Sequence, residues 1–257
     1  MQTVSRRIAH YVKGEGPDVL FVHGNASTHE VWSHVVRDLA VDYRCISYDL
    51  RGHGASSKEY DKLTLDLLVD DLEQLRNELS LRECFLVGHS LGALIAAEYA
   101  YRFPDRVRKL CMIAAPARRD EKAKSAGKQL LRQLSADGVG KVLPGLVKRW
   151  YTNAFVAAHP GSLEARLEQL NSIEDRVFID AYSLYLETDI SPKLPHLRMP
   201  GLVMTGEHSS GSDARVARYI ADAMPDSSLT VFREMKNGIL TEIPDRVSKE
   251  LARFLRK

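Results

Sequence analysis

One stretch constrains this chain more than any other: "CFLVGHSLGALIAAEYAYRF", residues Cys84–Phe103. A short apolar run with no polar alternation passes through Gly-His-Ser-Leu-Gly straight into alanine-rich helical sequence, which Pro104 stops. A strand apolar on both faces needs cover on both, and a strand that yields at once to a helix reads as the first half of a right-handed crossover. The rhythm recurs. "VLFVHG" (Val19–Gly24) is followed by Val31, Val35 and Leu39 at helical spacing, and "RCISYD" (Arg44–Asp49) by Leu65, Leu68, Leu72, Leu75 and Leu79. "VRKLCMIAA", "GLVMTG" and "SLTVFRE" read as further strands, with helices over "SDARVARYIADAM" and "PDRVSKELARFLRK". Strands alternating with helices predict an α/β architecture with a parallel sheet covered on both faces.

From Pro116 to about Pro195 the rhythm breaks. Helical patterns continue in "KSAGKQLLRQLS", "GLVKRWYTNAFVAAH", "LEARLEQLNS" and "DRVFIDAYSLYLE", and no strand pattern interrupts them. The expected organisation is a core domain of residues 1–116 and 195–257, with residues 117–194 inserted as a helical cap. "SPKLPHLRMP", with three prolines, returns the chain to the sheet.

Composition narrows the function classes. A net charge of +2 with scattered basic residues argues against a nucleic-acid or anionic-membrane partner. Cys45, Cys84 and Cys111 are far apart and two of them sit in apolar runs, so buried free thiols are expected and no metal site. "MQTVSRRIAHYVKGEG" lacks an apolar leader core, and no window approaches the ~18 apolar residues of a membrane span, so the expected location is the cytoplasm. Oligomeric state is not readable.

Gly88-His89-Ser90-Leu91-Gly92 matches G-x-S-x-G, a pattern that chance supplies in roughly one chain of this length in ten. Its setting between a buried strand and a helix makes it informative. On so sharp a turn the serine oxygen stands clear at the sheet edge, beside the helix N-terminus, and the glycines remove side chains that would collide. The competing reading of Ser90 is a simple helix N-cap. "FVHGN" ends another strand, and the Asn25 N–H with the Leu91 N–H is positioned to form an oxyanion hole. His23 reads as a structural hydrogen bonder, and His89 as packing beneath the turn.

Together with "YDLRGHGAS" (Tyr48–Ser56), "VMTGE" (Val203–Glu207) and "ILTEIPDRV" (Ile239–Val247), these segments resemble the α/β-hydrolase family over nearly the whole chain. The resemblance is closest to small bacterial carboxylesterases and 3-oxoadipate enol-lactonase-like hydrolases. It implies an eight-stranded, mostly parallel sheet with helices on both faces, an inserted helical cap, no cofactor, and a Ser-acid-His triad in that chain order. It further implies Ser90 as nucleophile, Asn25 and Leu91 as oxyanion donors, and a structural role for Asp49, Arg51, His53 and Gly54. The substrate class it implies is a small ester, lactone or other carbonyl compound.

The chain departs from that pattern at two places. The family's acid position falls on Ser209 and its base position on Asn237, and no histidine follows His208. A carboxamide cannot collect a proton at neutral pH, whereas a serine attacks only as its proton leaves. Three readings follow. The chain is an inactivated variant of a Ser/Asp/His enzyme; or it is a natural member that lost hydrolysis and serves as a receptor, pseudoenzyme or atypical lyase; or His208 and Asp213 substitute off-pattern. Asp213 otherwise reads as a carboxylate favoured by the start of a helix. The predicted cap contributes aromatic residues (Trp150, Tyr151, Phe155, Phe178, Tyr182, Tyr185) that read as core or pocket wall. It also holds several cations (Arg118, Arg119, Lys148, Arg149, Arg166, Arg176), any one of which suits a substrate carboxylate.

Overall fold

Apolar runs that skip polar alternation become the central strands. In the run 19–22, Val19 and Phe21 enter one apolar layer while Leu20 and Val22 enter the other; Phe85 and Val87 oppose Leu86 in the same way. The computed structural model describes residues 7–256. In chain order its first elements are β1 (His10–Lys13), β2 (Asp18–Val22), α1 (Ser33–Leu39), β3 (Arg44–Tyr48), α2 (Leu65–Glu78), β4 (Cys84–His89), α3 (Leu91–Arg102) and β5 (Val107–Ile113). Five helices follow: α4 (Glu121–Asp137), α5 (Val139–Trp150), α6 (Asn153–Ala158), α7 (Pro160–Asn171) and α8 (Asp175–Glu187). The chain closes with β6 (Gly201–Gly206), α9 (Ala214–Ala223), β7 (Ser227–Phe232), α10 (Ile239–Glu242) and α11 (Pro244–Arg256).

The sheet order is β1-β3-β2-β4-β5-β6-β7, with β1 antiparallel to β3 and every other pair parallel. The expected eight strands are thus corrected to seven among the described residues. The chain just before β1 is already bonded: Ala9 C=O accepts from Asp49 N–H and Arg7 C=O from Ser57 N–H, both at 2.9 Å. The first continues the β1–β3 register by one pair, and the second ties the chain to the loop after β3, so no further strand precedes β1 among the described residues. β1 itself carries no apolar signal, because all four of its residues are exposed at the sheet edge.

Helix α2 shows how the covering layer forms. The Thr64 side chain accepts from Leu67 N–H, capping the helix, and Leu68, Leu72 and Leu75 fall on one buried face. Truncating one of these leucines to alanine costs about 2–5 kcal/mol. Helices α2, α3 and α9 cover one face of the sheet, and α1 and α11 the other. The three cysteines are free and buried, with burial pushing the Cys45 and Cys84 thiols up to about 12. No helix among the described residues is long and apolar enough to cross a membrane.

Candidate active site

Ser90 occupies the junction of β4 and α3 with φ +54° and ψ −115°, outside the backbone regions that L-residues favour. It sits at the N-cap position of α3, yet its side chain makes no capping hydrogen bond. At Thr64, Asp120, Thr152 and Asp213, by contrast, the N-cap side chain does accept from the helix N-terminus. The simple N-cap reading therefore fails, because the Ser90 hydroxyl does not cap its own helix. The two flanking glycines have separate reasons. A Cβ on Gly88 would lie 2.3 Å from the Gly92 carbonyl oxygen, and one on Gly92 would lie 2.2 Å from that of Val22. Strand, turn and helix pack too closely for any side chain there.

The loop after β2 runs beside this turn. A Cβ on Gly24 would meet the Ser90 Cβ at 3.0 Å. Two buried imidazoles pin the loop from below. His23 Nδ1–H donates to Gly24 C=O at 2.7 Å while its Nε2 accepts from Leu50 N–H at 2.9 Å. His53 Nε2 accepts from Ala26 N–H at 3.3 Å, and its Nδ1–H donates to Arg51 C=O at 3.1 Å. Burial is the main cause that holds both rings neutral, with His23 lowered to about 3 and His53 to about 4. Ala26, held at φ +55°, is a second strained residue of the same cavity. Leu91 opens α3, so its N–H has no acceptor within the helix. The Asn25 N–H donates to no main-chain acceptor among the described residues, and its side-chain Nδ2 reaches Phe178 C=O in α8 at 3.3 Å.

The Asp49–Gly54 segment has the structural role expected of it. Burial alone would raise the Asp49 carboxyl, but hydrogen bonds from His29 and Ala55 outweigh that and hold it below the usual carboxylate range. A Cβ on Gly54 would collide with Asp49 Oδ2 at 2.1 Å. Arg51 forms a buried two-pronged pair with Asp71, at 2.8 and 2.6 Å.

Asn237, the expected base position, clips onto Ser210, the neighbour of the expected acid position Ser209. Asn237 Oδ1 accepts from Ser210 N–H at 2.8 Å and its Nδ2 donates to Ser210 C=O at 3.4 Å. Ser209 is buried, its hydroxyl has no hydrogen-bond partner, and it is absent from the cavity wall. Asp213 faces the cavity, but its carboxylate is engaged as the N-cap of α9, accepting from the N–H groups of Arg215 and Val216 at 3.0 Å. His208 is 63% exposed beside Glu207 and lies outside the cavity wall. The imidazole that does reach the cavity is His89. Its ring stands edge-on to Trp32 and meets the Asn237 backbone, and burial followed by the charge of Arg166 lowers it to about 4. The sequence places this ring beneath the turn and gives no sign of its access to the cavity.

Asn25, Ser90, Asn237 and Ser210 border one cavity of about 1350 Å³. The helices between β5 and β6 supply much of the remaining wall, with Trp150, Tyr151, Phe178, Tyr182 and Tyr185 all contributing. Phe155 instead stacks between Tyr151 and His159. Arg118, Arg119, Arg149 and Arg166 line the cavity; Lys148 does not, and Arg176 is engaged by the carbonyls of Tyr60 and Asp61.

A seven-stranded, mostly parallel sheet with helices on both faces and a strained turn between a central strand and the next helix defines a protein of the α/β-hydrolase fold class. The chain belongs to the alpha/beta hydrolase fold family, whose profile matches residues 17–234. It is 24% identical to 3-oxoadipate enol-lactonase 2 of Acinetobacter baylyi over 231 residues, covering 90% of this chain and 85% of that protein. The enol-lactonase of Burkholderia xenovorans LB400 superposes with a TM-score of 0.91 at 20% identity, over 97% of this chain and 96% of that one, which bears on the fold alone. A thermophilic esterase from Thermogutta terrifontis, solved with malate bound, superposes with a TM-score of 0.88 at 27% identity over 97% and 93% of the two chains.

Proposed function

We propose that this chain is a carboxylic ester or lactone hydrolase that works through an acyl group on Ser90 and turns over slowly. The observation that carries the reading is the serine at φ +54° whose hydroxyl borders the cavity and leaves its own helix uncapped. Backbone strain at a cavity wall is characteristic of groups held for chemistry. The names of the similar proteins, enol-lactonase and esterase, support the same reaction class.

In this account Ser90 Oγ attacks the carbonyl carbon, and the main-chain N–H groups of Asn25 and Leu91 hold the developing oxyanion. The bond to the leaving oxygen breaks, giving the alcohol, or the ring-opened chain of a lactone, and an ester on Ser90. Water then releases the acid. Both steps need a proton acceptor, and the Asn237 amide is not one. The proton passes to solvent, which forfeits about 10²–10⁴-fold of rate and favours activated carbonyl compounds. The segment 117–194 acts as the cap that shapes the acyl or ring pocket.

The test is a stopped-flow measurement with an activated aryl acetate. The account expects an initial release of about one equivalent of phenol per chain followed by slower turnover, and neither phase in Ser90→Ala. An intact wild type that releases no phenol above the Ser90→Ala background would return the chain to the non-hydrolytic reading.

A further inference from the structure

Five arginines line the cavity against three carboxylates, and two of those carboxylates, Asp120 and Asp213, are already engaged as helix caps. Among the arginines, Arg166 stands apart. It projects from α7 into the cavity, with its guanidinium over the Trp150 ring at 5.9 Å. Its Nη1 donates to the side-chain oxygen of Gln169. Burial draws it below the usual guanidinium range, and Tyr151 is the titratable group that offsets this; no carboxylate among the described residues pairs with it. Its field reaches the imidazole of His89, next to Ser90. Arg166 is half-buried, and a partly desolvated cation without an anion is stabilised when a ligand supplies one. The guanidinium fork matches a carboxylate in two parallel hydrogen bonds.

We propose that Arg166 is the anchor for a carboxylate carried by the ligand of this cavity, so that the compound presented to Ser90 is an acid bearing its ester or lactone carbonyl elsewhere on the chain. The assignment rests on the reading of the Ser90 cavity as the substrate site. Trp150, Tyr151 and Gln169 hold the guanidinium in place, and the aromatic wall receives the apolar linker between the two ends of the ligand.

The test reads binding without turnover. The chain has two tryptophans, Trp150 beneath the Arg166 guanidinium and Trp32 beside His89, so Trp150→Phe identifies the part of the signal that reports on Arg166. Succinate, glutarate and adipate are titrated against tryptophan fluorescence, with the matching diamides as neutral probes. At least one diacid is expected to bind saturably to the wild type and to Ser90→Ala. In Arg166→Gln its affinity should fall by about ten- to a hundredfold, while Lys148→Gln, a change outside the cavity wall, leaves it within about twofold and the diamides bind poorly throughout. No saturable response from any diacid in the wild type overturns the proposal. So does equal binding to Arg166→Gln, or a loss confined to Arg149→Gln. If diacids bind through Arg166 and no ester is turned over, hydrolysis fails and the carboxylate anchor stands. If esters are turned over and no diacid binds, the anchor fails and hydrolysis stands.

Discussion

The Asn237 carboxamide clasps the main chain of Ser210, accepting its N–H at 2.8 Å and donating to its C=O at 3.4 Å. A peptide-like side chain thus satisfies both polar groups of a residue 27 positions away, and it ties the loop after β7 to the loop after β6. The Asn237 amide and the Ser209 hydroxyl, which stand where the family resemblance puts base and acid, take up no proton at neutral pH.

Restoring proton chemistry at that crossing should restore rate. Asn237→His with Ser209→Asp is expected to raise kcat/KM for an activated aryl ester by at least about 10²-fold, the lower end of what a positioned base supplies. Asn237→His alone gains less, because it gives up the clip and lacks an orienting carboxylate. Steady-state kinetics on the folded double variant decides the matter. A rate unchanged from the parent would mean that positions 209 and 237 do not address Ser90.

The strain at Ser90 is measurable as stability. At φ +54° every residue except glycine carries a backbone cost of about 1–3 kcal/mol. Ser90→Gly is therefore expected to unfold at higher urea than the parent while losing all esterase activity, and Ser90→Ala to lose activity without that gain. Equal midpoints for the two variants would remove the strain argument.

Gly92→Ala should do the opposite. Its new methyl would lie 2.2 Å from the Val22 carbonyl oxygen, a backbone atom that cannot step aside without moving β2. A loss of at least about 2 kcal/mol is expected, together with displacement of the Asn25 loop and a lower burst amplitude. Chemical denaturation and the burst assay read the two effects separately, and a variant as stable as the parent would contradict the packing described.

The buried imidazoles set the acid limit. His23 and His53 are held near about 3 and about 4, against 6.5 when unfolded. Between pH 6.5 and about 4 the unfolded chain binds protons that the folded chain refuses. Stability is thus full above pH 6.5 and falls as pH drops below it, by up to about 1.4 kcal/mol per pH unit for each ring. Urea midpoints from pH 8 to pH 5 should decline mainly below pH 6.5, and His53→Gln should flatten the slope. A level profile down to pH 5 would show that neither ring is neutralised by the fold.

Much of this is legible in the chain, for identifiable reasons. The five strands β2 to β6 announce themselves because both faces are largely apolar, and the Ser90 turn because glycines must flank it. β1 is silent, since "HYVK" buries nothing. "THEVWSHVVRDLA" reads as one helix but forms a 3₁₀ turn, His29–Trp32, before α1, with Thr28 capping the turn. Asp213 reads as a carboxylate at a helix start, and the structure makes it the N-cap itself. What the sequence does not convey is contact across distance. Asn237 meeting Ser210, His89 opening onto the cavity, and Arg166 among Trp150, Tyr151 and Gln169 depend on how three separate loops and two helices converge. No local pattern encodes those meetings.

The central claim is that the Ser90 hydroxyl stands exposed in a covered cleft as a nucleophile. The most direct measurement is incubation with a fluorophosphonate, followed by intact mass and peptide mapping over hours. The account predicts slow modification to one equivalent, mapped to Ser90, absent from Ser90→Ala and faster in Asn237→His with Ser209→Asp. A folded protein that stays unmodified at Ser90 at high reagent concentration would contradict it.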